Sequence, residues 1–246
     1  MNAAFAAIER VQSRMSVHDP ASELSRVNAE ALLHPVKVSD ETFTVLLRGL
    51  ELACASDGAF DFTIAPLLAC WGLLPAPLRR RAAGDWRDVQ LLSRNCVRFT
   101  KPLAIDLGGV AKGFAVDSAI VALRGAGVTS AVVNAGGDLR AFGPEPSCIH
   151  LRHPLHPQQL PHTVSLREAA LATSSPCFTE RRWRGRRVSH LVNPREQCAV
   201  TGGVSVTVRA PECWLADALT KVVLFAPALA EPLLARHEAE AFILTA

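Results

Sequence analysis

Residues 106–113 read Asp-Leu-Gly-Gly-Val-Ala-Lys-Gly. Residues 104–107, Ala-Ile-Asp-Leu, lead into the two glycines, and helical apolar spacing follows over 111–123 until Gly125 and Gly127 end it. The pattern predicts a short strand that turns sharply into a helix. Glycines permit close backbone approach, a helix N-terminus offers unpaired N–H groups to an anion, and Lys112 adds a cation. The stretch matches neither GxGxxG nor GxxxxGK[ST], so a pyrophosphate site and a plain tight turn both fit it. Working outward, a second strand is expected at 130–133, followed by a second glycine turn, Asn134-Ala-Gly-Gly-Asp138. Two such turns at neighbouring strand ends would form a crevice for a phosphorylated ligand. Asp138 would there accept from a ribose hydroxyl, a cation or Arg140.

Further out, helices are expected over 1–15 and 38–56, the second capped by Ser39 or Asp40. A short helix leading into a loop is expected over 66–77. Residues 204–209 alternate as a strand does, and 212–225 read as a helix carrying Asp217. The proline- and histidine-rich stretch 144–162 reads as a loop. Its His150, His153, His156 and His162 suggest metal ligands, but the prolines preclude a helix that would gather them on one face. Helices and strands without regular alternation favour α+β, with mixed or antiparallel sheets and packed helices, in one domain spanning 1–246.

Composition sets wider bounds. Of 246 residues, 49% are hydrophobic, enough for a substantial core. A net charge of +3 does not suggest a nucleic-acid protein. The run Arg181, Arg182, Arg184, Arg186, Arg187 is either a solvated turn or a surface for phosphate or an acidic partner. Seven scattered cysteines without CxxC spacing suit a reducing compartment better than a disulfide framework. No stretch reaches the roughly 20 apolar residues of a membrane span, and no signal-peptide pattern opens the chain. As given it reads as cytoplasmic, and as periplasmic if a leader was removed.

Two single residues carry two readings each. Asp217, on an otherwise apolar helix face, is either a paired structural carboxylate or a metal ligand. His190 is either packed or a general acid or base.

Five blocks together resemble the ApbE family of FAD:protein FMN transferases, historically called thiamine-biosynthesis lipoproteins. They are residues 15–28, from Met15 to Asn28; 57–67 with Trp71-Gly72; 106–113; 134–138; and Ser189-His-Leu-Val-Asn-Pro194 through Thr201-Gly-Gly203 to Ala216-Asp-Ala-Leu219. The resemblance implies a T-fold-like α+β architecture that cleaves FAD and transfers FMN to a threonine or serine hydroxyl of an acceptor flavoprotein. It places Met15, Ser22, Glu23 and Asn28 along the flavin cleft, with Gly58, Phe60 and Asp61 shaping its wall. Gly108, Gly109, Asp138 and Thr173 would serve the nucleotide, and His190, Asp217 and Lys112 the chemistry. A divalent metal, usually magnesium, would sit at the pyrophosphate, held by the Ala111 carbonyl and Asp217.

The chain departs from the family near this chemistry. Lys221 stands where the family has a threonine metal ligand. One helical turn from Asp217, its ammonium is expected to pair with that carboxylate and to weaken or abolish magnesium binding. His190-Leu-Val-Asn-Pro-Arg-Glu-Gln197, Thr173-Ser-Ser175 and His18 also differ from the family pattern, and its usual strand before the first helix is missing. A metal-independent or catalytically weak FAD-binding relative, or a pyrophosphatase giving FMN and AMP, therefore stand beside the transferase as alternatives.

Overall fold

The computed structural model describes residues 2–80, 83–177 and 179–245; Met1, where the first helix was expected to begin, lies outside them. Helix α1 (Asn2–Met15) turns Ala4, Ala7, Val11 and Met15 inward. Ser22 caps α2 (Glu23–Glu30) by accepting from Ser25 N at 3.0 Å. The short strand β1 (Val36–Lys37) precedes α3 (Asp40–Ala55), which Ser39 caps as its position predicts. Helix α4 (Ala65–Cys70) is indeed short and runs into turns. Strands β2 (Val89–Leu92) and β3 (Cys96–Phe99) join β1 in a small antiparallel sheet.

The central sheet is antiparallel with order β14-β13-β8-β5-β4. Its strands are β4 (Ala131–Ala135), β5 (Asp138–Phe142), β8 (Ala169–Ser174), β13 (Val204–Ala210) and β14 (Glu240–Thr245). Helices α5 (Ala111–Gly125) and α6 (Cys213–Phe225) pack on it, α1 packs on α5, and α7 (Pro227–Arg236) follows α6. The architecture is α+β with antiparallel sheets, as the irregular element pattern predicts. The largest core cluster draws on α1, α2, α3, β13 and α6. No helix among the described residues is long and apolar enough to cross a membrane. All seven cysteines are free.

Two expectations need correction. Residues 104–107 are not a strand. Buried Asn28 acts in place of a partner strand: its Nδ2 donates to Ile105 O at 2.9 Å, and its Oδ1 accepts from Ile105 N at 2.8 Å. Asp106 N donates to Phe62 O. The backbone is satisfied without a ladder. Nor is 144–162 one loop. β6 (Ser147–Leu151) pairs with β7 (His162–Leu166), and Ile149, Leu151, Val164 and Leu166 pack onto the central sheet. The flanking prolines mask this alternation in the sequence. Two short hairpins complete the fold, β9 (Arg181–Trp183) with β10 (Arg186–Val188), and β11 (Val192–Asn193) with β12 (Cys198–Ala199).

Candidate active site

A cavity of about 1010 Å³ lies between the central sheet, the 106–113 turn and the segment after α1. That is the upper end of the usual range for small-molecule sites. One wall is apolar, with Met15, Val17, Phe60, Phe62, Ile64 and Leu74. Another carries Gly108, Gly109, Lys112 and Lys221 opposite Asn134, Gly136 and Gly137. Thr173, His150, Arg152, His18 and His190 belong to the polar part, as do the carboxylates Asp61 and Asp106.

The two glycine turns thus converge, but by different geometries. Gly136 and Gly137 form the two-residue loop of the β4–β5 hairpin, with φ of 70° and 105°, which side chains rarely adopt. Gly109 instead leaves room for the Lys221 side chain. A Cβ there would lie 3.3 Å from Lys221 Cε and 3.8 Å from Phe60. Gly113, on the first turn of α5, has a third purpose. Its Cβ would fall 2.3 Å from Cys213 O, so a glycine is what lets α5 and α6 touch.

Beneath the cavity floor lie two carboxylates and two ammonium groups. Lys112 pairs with Asp138, and its Nζ is 3.9 Å from Asp217 Oδ2. Lys221 donates to Asp217 Oδ1, to Asp217 O at 2.9 Å and to Gly109 O at 3.4 Å. The ammonium groups line the cavity, whereas Asp138 and Asp217 are each 1% exposed and lie behind them. Among the described residues no N–H or hydroxyl donates to Asp217 Oδ2, and the Asp217 carboxyl lies close enough to that of Asp138 to share a proton with it. Burial pushes the Asp138 carboxyl up to about 6, and repulsion from Asp217 adds to this against the pull of Lys112. Burial also opposes ionisation of Asp217, but Lys221 and Lys112 overcome it and hold that carboxyl below its ordinary value. Burial opposes the Lys112 charge, and Asp217 and Asp138 more than restore it.

Several expected cleft residues support the cavity rather than line it. Ser22 is a buried helix cap whose Oγ donates to Ser16 O at 2.7 Å. Glu23 accepts from Ser39 and Thr42, tying α2 to the start of α3. Asn28 clamps Ile105 from behind. Gly58 sits against the Trp86 ring at a φ of 77° and is not part of the wall. In Ser22, Glu23 and Asn28, polar groups beside the cavity satisfy backbone amides and carbonyls and neighbouring hydroxyls. Met15, Phe60, Asp61, Gly108, Gly109, Ala111, Lys112, Thr173 and His190 do line the cavity. Thr173 Oγ1 shares a 2.8 Å hydrogen bond with Thr207 Oγ1. His190 has its protonation disfavoured by burial and then by Arg181 and His18.

Sequence reasoning missed Asp117. It sits on α5, yet it caps α6 by accepting from Cys213 N at 3.0 Å and Trp214 N at 2.9 Å, with Arg140 paired to it at 2.6 Å. It also missed Arg152 and the placement of His150, both brought in by β6 and the loop after it. The Ser-Cys-Ile-His-Leu alternation over 147–151 was the signal available.

Residues 1–243 match the ApbE family. The chain is 29% identical over 229 residues to an FAD:protein FMN transferase of Vibrio cholerae, covering 86% of this chain and 69% of the relative. It is 33% identical over 213 residues to one of Rhodobacter capsulatus, covering 80% and 40%. Among solved structures, an ApbE protein of Thermotoga maritima superposes with a TM-score of 0.87 at 26% identity, covering 99% of this chain and 85% of that one. The flavin transferase ApbE of Vibrio cholerae superposes with a TM-score of 0.79 at 26% identity, covering 98% and 83%. With the five motif blocks, the fold and nearly the whole length in agreement, the chain belongs to the ApbE family.

Proposed function

We propose that this chain is an FAD:protein FMN transferase whose acceptor is a flavoprotein bearing a threonine or serine hydroxyl. The observation that carries the reading is a single cavity joining an apolar wall to a floor of two glycine turns and two lysines. An aromatic ring system suits the first part and a pyrophosphate the second. In the reaction, the acceptor hydroxyl oxygen attacks the phosphorus of the FMN half. The bond from that phosphorus to the bridging oxygen breaks, AMP leaves with the bridging oxygen, and the hydroxyl proton is released. His190, neutral near pH 7 and facing the cavity, is suited to receive that proton. Lys112 and Lys221 offset charge on the phosphates as it shifts to the leaving group.

The residues around Asp217 do not fit a divalent cation. One carboxylate oxygen, the Asp217 carbonyl and the Gly109 carbonyl all accept from Lys221. The remaining oxygen, Oδ2, is orphaned as a ligand oxygen would be, but it faces Lys112. No step is therefore assigned to a metal.

The test is incubation with FAD and a threonine-containing acceptor protein. In-gel flavin fluorescence and an FMN mass increment on the acceptor, with AMP released in equal amount, are expected. Free FMN and AMP without labelled acceptor would identify a pyrophosphatase instead, and unchanged FAD would defeat the reading.

A further inference from the structure

We infer that Lys221 is a built-in cation of this site, so that the chain handles the FAD pyrophosphate without a divalent metal. The inference rests on the transferase reading of the cavity.

The position of the ammonium carries the argument. Lys221 Nζ is surrounded by oxygens from two elements, Asp217 Oδ1 and Asp217 O on α6 and Gly109 O at the turn before α5. An acidic side chain and two carbonyls around one centre are the ligand types that a hard cation takes. Here a side chain of the protein fills that centre. The lysine side chain is only 15% exposed, so it is held by its surroundings rather than free to swing into solvent.

Charge points the same way. Asp138 and Asp217 face Lys112 and Lys221, two negative groups against two positive ones. A divalent ion entering this group would meet two ammonium groups and no carboxylate without an ammonium neighbour. The order of the layers matters too. Lys112 and Lys221 line the cavity while their partners Asp138 and Asp217 lie behind them, so at these two pairs a ligand meets the positive group; Asp106, the carboxylate that lines the cavity beside them, is itself held by Lys221 and by the Gly108 amide. The 3.4 Å bond from Lys221 to Gly109 O is the longest of its three, and a phosphate oxygen arriving from the cavity is placed to take it over.

The experiment measures FAD affinity by flavin fluorescence in EDTA and in excess magnesium chloride. It uses the native chain, Lys221→Thr and Lys221→Met, with riboflavin as a phosphate-free probe. Native FAD affinity is expected to agree within about threefold between the two conditions, meaning negligible coupling between the sites. Both variants are expected to lose about tenfold or more in FAD affinity in EDTA while keeping riboflavin affinity within about threefold. Thermal melting identifies a variant that has unfolded, and the native-chain comparison needs no variant. Native affinity that rises tenfold or more with magnesium overturns the inference and leaves the transferase reading standing. An equal loss of riboflavin and FAD in the variants, or no loss of FAD, also overturns it. If the native chain binds FAD in neither condition, both readings fall.

Discussion

His190 and Asp61 show how burial tunes single residues at this cavity. His190 is held below the usual histidine value by burial, then by Arg181 and His18, so it is neutral at pH 7 and can accept a proton. Its useful form is lost on acidification. We expect kcat/KM to fall as pH drops through the histidine's lowered pKa and to be level above it, as far as this group is concerned. His190→Asn should lower kcat by about 10²–10⁴ with little change in FAD affinity, and should flatten the acid limb. Asp61 lies at the cavity wall, where burial pushes its carboxyl up to about 6 despite two hydrogen bonds from Thr63. The folded state therefore holds this proton more tightly than the unfolded chain, whose aspartates titrate at about 3.9. Stability from this group is lost as pH rises from the unfolded value to about 6, and the full cost remains above it. Asp61→Asn keeps an acceptor for Thr63 and removes the charge. It should be more stable than the native chain by roughly 2 kcal/mol at pH 8 and no more stable at pH 4, read by urea denaturation at both values.

At the scale of elements, the site depends on how α5 and α6 meet. Asp217 and Lys221 both ride on α6, whose first amides are capped by Asp117 of α5, and Gly113 lets the two backbones approach. Gly113→Ala puts a methyl group 2.3 Å from a backbone oxygen, a contact that can be relieved only by moving a helix. We expect it to cost about 1–3 kcal/mol or more. Gly125→Ala, in the last turn of the same helix with nothing within 4 Å of the added carbon, should be neutral or gain about 0.4–1 kcal/mol. Thermal melts of the pair separate helix propensity from helix contact, and equal effects would show that the close approach is unimportant.

For the whole molecule, the cavity gathers α1's end, the 106–113 turn, the central sheet and the β10–β11 connection. A ligand that spans them should stabilise all of them together. FAD at about 100 times its Kd should add roughly 2.7 kcal/mol, a Tm increase of about 5–10 °C for a chain of this length. FMN, which lacks the pyrophosphate and adenylate, should bind about tenfold or more weakly by calorimetry. Equal affinities would mean that the glycine turns and lysines add nothing beyond one phosphate. Gly109→Val should remove FAD binding while circular dichroism stays native, because the branched side chain would crowd the Lys221 side chain on the floor and the Phe60 ring on the apolar wall.

Sequence by itself determined what depends on neighbours along the chain. The boundaries of α3 and α5, the glycine turn at 136–137 and the Asp217–Lys221 pair one turn apart all follow from spacings of a few residues. So does the cap at Ser39, because its partner Thr42 is three residues away. The motif blocks also carried the family assignment, since their order survives without any coordinates. Tertiary structure alone decided which polar residues line the cavity. Glu23 and Asn28 look like cleft residues in the sequence, but they satisfy backbone and side-chain groups of segments brought to them by folding, 77 positions away for Asn28 and Ile105. Asp117 caps a helix 96 positions further on, which no local pattern encodes. The layering of Lys112 and Lys221 over Asp138 and Asp217 belongs to the same class. A buried charge must find its partner wherever packing supplies one, and packing is settled by the whole chain.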